Sequence, residues 1–111
     1  MTPEDQMRRI DSLLAHVWMV RTFLKHSEEA EEDEELCEVH RTLYDYMHAL
    51  GRPLDNADAA AYLRQARKKL SKLKRATELL AEIQPEISAH LNFQMATSSL
   101  QTAVHEIDQL L

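Results

Sequence analysis

Residues 2–25 read TPEDQMRRIDSLLAHVWMVRTFLK, and this stretch states the chain's structural grammar. Thr2 is an N-cap, Pro3 occupies the first helical position, and Asp5 stands three residues after the cap, a box-like pair. Met7, Ile10, Leu14, Val17 and Leu24 recur at spacings of three and four, so about 100° of rotation per residue puts them on one face. Lys25 and His26 close the segment, where positive charge suits the negative end of the helix dipole.

The same pattern repeats downstream. Ser27 can cap a second helix, whose first turns are the acidic run Glu28–Glu35 and whose apolar face is Leu36, Val39, Leu43, Met47 and Leu50. Gly51 fits its C-terminal cap, and Pro53 is expected to prevent continuation. A third helix starts from Asp55, with Asp58 three residues on, and turns Ala59, Leu63, Ala66, Leu70, Leu73, Thr77 and Leu80 inward. A fourth carries Phe93, Leu100, Val104, Ile107 and Leu111 on one side. Between the last two stands Pro85, which also pushes Gln84 away from helical geometry. Ile87 and Leu91 continue the stripe of the third helix, so Pro85 could merely kink it, with the reversal nearer Asn92. A break at Pro85 is the expectation, because it leaves four segments of similar length, as a compact bundle requires.

A β-fold of this size would need turn residues every 8 to 12 positions or so, and one Gly with three Pro cannot supply them. At 111 residues, 44% hydrophobic and 29% charged, the chain has the composition of one folded domain spanning 1–111. The expected fold class is all-α, an antiparallel bundle of about four helices.

Charge and cysteine content narrow the function classes. A net charge of −6 argues against general attraction to phosphate backbones or anionic membranes. The single Cys37 cannot form an internal disulfide, which suits a reducing cytoplasm, and the N-terminus is polar where a signal peptide would turn apolar. No apolar run approaches the ~20 residues of a membrane span. A basic run, Arg64, Arg67, Lys68, Lys69, Lys72, Lys74 and Arg75, invites a nucleic-acid reading. A hairpin turning near Pro53, however, places Glu38 opposite Lys68, Glu35 opposite Ser71 and Glu31 opposite Arg75. Mutual neutralisation of the two blocks is the favoured reading over nucleic acid.

Six histidines raise the question of a metal. Among residues three before each His, only Asp45 ahead of His48 resembles the Glu-x-x-His of carboxylate bundles, and both fall outside the core face. No two His are four apart. The best cross-helix candidate is His16 with Glu38 and His40, brought together by a hairpin folded near Ser27. Edge histidines in ordinary hydrogen bonds are the simpler account. There is no haem-attachment sequence, no Gly-rich phosphate loop and no activated nucleophile, since Cys37 lies among acidic residues that suppress its thiolate. No cofactor and no enzymatic activity are expected.

One feature asks for a partner. From Leu13 to Leu24 the chain reads LLAHVWMVRTFL, too apolar for a helix that buries little more than a third of its circumference. Trp18 falls on one flank of the core face, and Met19 and Phe23 lie towards the opposite side. Together with Tyr44 they have the composition of a protein interface, and a symmetric homodimer is the commonest way to cover one. The expected function is a non-enzymatic interaction or scaffolding module that self-associates through its first helix.

Overall fold

The computed structural model spans residues 1–111 and contains α1 (Pro3–Lys25), α2 (Glu29–Glu32), α3 (Glu34–Asp55), α4 (Ala59–Ile87) and α5 (Leu91–Leu110), with no strand. The fold is the expected all-α bundle. α1 packs against α3 and α5, α4 packs against the same two helices, and α1 and α4 meet across the core. The bundle measures 41 × 21 × 19 Å. α4, with its 29 residues, sets the long dimension at about 1.5 Å per residue. Buried side chains from all five helices form one continuous core.

The capping box at Thr2 is present: its hydroxyl accepts from the Asp5 N–H at 3.1 Å, and the Asp5 carboxylate accepts from the Thr2 N–H at 3.3 Å. The second segment departs from expectation. Ser27 does accept from the Ala30 N–H at 3.3 Å, but it starts only the single turn of α2. Asp33, extended at φ −119°, interrupts that turn and caps α3 by accepting from the Leu36 N–H at 2.8 Å. A carboxylate that bonds a backbone N–H two or three residues on competes with helix continuation. Cys37 sits half-buried, its thiol donating to the Ala30 carbonyl at 2.8 Å.

Neither proline ends its helix where expected. α3 runs through Pro53 to Asp55, and α4 runs through Pro85 to Ile87. A proline inside a helix deprives the carbonyl four residues earlier of its partner. Here those residues are Ala49 and Ala81, which line open grooves where water can replace the lost donor. Continuing the helix lets Leu54 and Ile87 reach the core. Asp55 is accordingly the end of α3, not the start of α4. The α3 C-terminus is a Schellman motif: Ala57 N–H bonds Leu54 O at 3.0 Å and Asp58 N–H bonds Pro53 O at 2.9 Å. Its left-handed residue is Ala57, at φ 52°, while Gly51 is an ordinary helical residue. Asp58 then caps α4 through the Ala61 N–H at 3.0 Å. The second reversal falls at Ser88–His90, with His90 Nδ1 accepting from the Asn92 N–H at 3.0 Å.

Moving the first turn from Pro53 to Ala57 shifts the α3/α4 register by about two helical turns. The Tyr46 hydroxyl donates to Ala66 O at 3.0 Å, and Glu38 shares a groove with Lys72 and Arg75 instead of Lys68. In this register the acidic run 28–35 lies level with the last turns of α4, which carry Glu78, Glu82 and Glu86. The expected neutralisation of the two blocks does not occur. The ion pairs present are Arg8–Asp5, Arg9–Glu106 and Lys74–Asp108, none of which joins them.

Candidate docking surface

α1 buries Met7, Ile10, Leu13, Leu14, Val17, Val20 and Leu24. That face is complete without Trp18 and Met19, which follow Val17 by one and two residues and therefore rotate away from the core. Trp18 is 45% exposed and Met19 66%. Tyr44, on the adjoining edge of α3, is 40% exposed. Phe23 differs from the other three. It is half-buried against the core, edge-to-face with Phe93 of α5 at 5.0 Å and 65°. Its ring is occupied within the bundle, so it does not project as a contact residue.

Trp18 and Tyr44 are joined by Arg21, whose guanidinium lies 4.8 Å from the Trp18 ring centre and 4.9 Å from that of Tyr44. His48 stacks on Tyr44 at 5.8 Å with the planes 14° apart. Four planar groups therefore form a strip across the α1/α3 seam. Each cation–π contact of this kind is worth about 0.5–1 kcal/mol at an exposed site, so the strip holds its side chains in place without hiding them.

Below the strip, between α1 and α3, lies a cleft of about 270 Å³ lined by Asp11, Leu14, Ala15, Trp18, Met47, Leu50, Gly51 and Leu54. Its walls are mostly apolar. Gly51 contributes an opening, since a side chain added there would meet nothing within 4 Å. On the other flank of α1, α5 exposes Leu91 (63%) and Met95 (59%). Apart from Met1, every exposed large hydrophobe lies on α1, α3 or α5, and α4 has none. The exposed apolar side chains thus lie on the three helices other than α4, which is diagonally opposite α1.

Trp18, Met19 and Tyr44 are exposed, as the sequence led one to expect; Arg21, His48, Met47, Leu54 and Gly51, which share the strip or the cleft, are not among the residues it singled out. The signals were available in part: Trp18 and Arg21 are three apart, Tyr44 and His48 four apart, spacings at which helical side chains meet. That α1 and α3 bring the two pairs together is a tertiary fact.

The metal candidates are not brought together. His16 stands one heptad after Arg9, on the side of α1 that faces α5 and Glu106. Glu38 lines the α3/α4 groove beside Lys72 and Arg75. His40 lies on the α1 side of α3. Burial first, then Arg21, Arg41 and Lys25, hold its pKa below the usual 6.5, an environment that disfavours a cation. No group of three His, Cys, Asp or Glu side chains converges anywhere in the chain. No helix is long and apolar enough to cross a membrane.

No protein-family model matches this chain, and comparisons with curated proteins and with solved structures return no match.

Proposed function

We propose that the chain is a non-enzymatic helical interaction module that self-associates through the α1-centred face, in a reducing compartment such as the cytoplasm. The observation that carries this reading is the exposed Trp18–Arg21–Tyr44 strip above an apolar cleft. Aromatic and Arg side chains held rigid at the rim of an apolar pocket are what interface hot spots are made of. A lone exposed Trp needs no explanation, whereas a contiguous apolar face does.

Charge favours a second copy as the partner. Asp11 stands one heptad before Trp18 and Lys25 one heptad after it, all three exposed along the same line of α1. Neither charge belongs to an ion pair within the chain. Two copies of α1 crossing antiparallel about Trp18 would set each Asp11 against the other's Lys25, the self-complementarity a two-fold interface requires. The half-buried thiol of Cys37 is consistent with a compartment where thiols stay reduced.

Sedimentation velocity over a concentration series tests the reading. At about 0.5 M salt, which screens exposed charge pairs, the parent protein should sediment as a dimer, and Trp18→Ser with Met19→Ser should give a monomer of unchanged helicity. Gly51→Leu, which fills the cleft from within, should weaken the dimer independently. A parent that is monomeric at every concentration, or a dimer indifferent to all three substitutions, would refute it.

A further inference from the structure

The outer line of α4 is Arg64, Lys68, Ser71, Arg75, Glu78, Glu82 and Glu86, spaced by threes and fours, and every one of these residues is exposed. Lys72 stands at its edge, also exposed. The line is split by charge: cations up to Arg75, then glutamates from Glu78 onwards. None of these side chains is engaged in an ion pair within the chain. The register of α3 sharpens the division. Beside the basic half α3 contributes Arg52 and His48, partly offset by Asp45 and by Glu38 in the groove with Lys72 and Arg75, whereas the acidic run Glu28–Glu35 lies level with the glutamate half.

A stripe that is positive along one half and negative along the other is complementary to its own image turned end for end. We infer that the outer face of α4 is a second self-association surface, pairing antiparallel with α4 of another copy about a two-fold axis between Ala76 and Thr77. That axis sets Arg75 opposite Glu78 of the other copy and brings Lys72 and Lys68 within one residue of standing opposite Glu82 and Glu86, each pair occurring twice. The interface is electrostatic, with no large exposed hydrophobe on α4 to support it. It is therefore weak and salt-sensitive. A nucleic-acid strand is the competing occupant of the basic half, but the same line presents three glutamates within the next few turns, which would repel a continuing phosphate backbone.

This inference does not depend on the α1 reading. The two faces lie on diagonally opposite helices, so both can be occupied at once, and a dimer built on one could extend through the other into a larger assembly.

The test uses the full chain carrying Trp18→Ser and Met19→Ser, so that only the α4 face is read. Sedimentation at low ionic strength should show a dimer that dissociates as salt rises. Reversing the basic half (Lys68→Glu, Lys72→Glu, Arg75→Glu) or the acidic half (Glu78→Lys, Glu82→Lys, Glu86→Lys) should each weaken it about 100-fold, from six pairs of roughly 0.5 kcal/mol apiece. Mixing the two reversed proteins should yield a heterodimer, and combining all six changes in one chain should restore the homodimer. Circular dichroism confirms that each variant is folded, and these exposed sites tolerate the changes. A monomer at low ionic strength, or reversed proteins that do not pair with each other, would overturn the inference. Tight, salt-dependent binding of a single-stranded oligonucleotide in place of self-association would overturn it in favour of nucleic acid.

Discussion

Two buried tyrosines make a stringent test of the core, because losing the same hydroxyl should have opposite effects at the two positions. Tyr46 is 2% exposed and its hydroxyl donates to Ala66 O at 3.0 Å. Tyr62 is fully buried and its hydroxyl has no partner. Tyr46→Phe removes one hydrogen bond. It leaves no orphan acceptor, because a carbonyl inside α4 is also placed to receive the helical bond from four residues on. The expected loss is about 1 kcal/mol. Tyr62→Phe removes a buried, unpaired polar group whose desolvation opposes folding by about 1–3 kcal/mol. Allowing for the small void left behind, the expected gain is about 1 kcal/mol. Urea denaturation followed by circular dichroism reads the roughly 2 kcal/mol gap between the variants directly, and equal m-values would confirm that both unfold the same surface. The contrast should extend to alkaline pH. Burial, then Asp11 and Tyr46, push the Tyr62 pKa well above the usual 10, so its ionisation favours the unfolded chain. The parent should lose stability as pH rises above 10, and Tyr62→Phe should lose less. A Tyr62→Phe protein that is less stable than the parent by as much as Tyr46→Phe would refute the reasoning, and would mean that the hydroxyl holds a buried water.

Three further outcomes follow from the geometry. Phe23→Ala should cost about 3 kcal/mol of stability by opening the Phe93 contact, whereas Trp18→Ala should cost about 1 kcal/mol or less while weakening assembly; thermal melts alongside sedimentation separate the two, and equal melting losses would show that Trp18 is a core residue after all. Ala57→Gly should raise stability by about 1 kcal/mol, since a left-handed residue with a Cβ is strained at the Schellman position; a loss in denaturant midpoint would contradict the strain. Because His40 titrates below 6.5 in the folded state, the unfolded chain binds the proton first, so stability should be full above pH 6.5 and fall as pH drops below it. Comparing pH–stability curves of the parent and His40→Gln isolates that share, and superimposable curves would remove it.

What could be read locally was read. The four long helices, most of their core faces and the Thr2 box are encoded in spacings of three and four and in the chemistry of a single cap, which need no knowledge of distant residues. The surplus of apolar residues on α1 is likewise a property of one segment, and it pointed to Trp18, Met19 and Phe23, of which the first two are exposed. What failed depended on neighbours. Whether Pro53 or Pro85 ends a helix turns on whether the carbonyl it orphans can reach water, and on what Leu54 and Ile87 gain by packing. The glycine that looked like a cap is mid-helix, and the capping position holds an alanine. That displaced turn set the register of α3 on α4 and parted the two charge blocks. Phe23 and Trp18 both fall off the core face in the helical repeat, yet only Phe23 has Phe93 beside it. Periodicity assigns a side chain to a direction. Tertiary structure alone decides what stands in that direction, because the answer comes from another part of the chain.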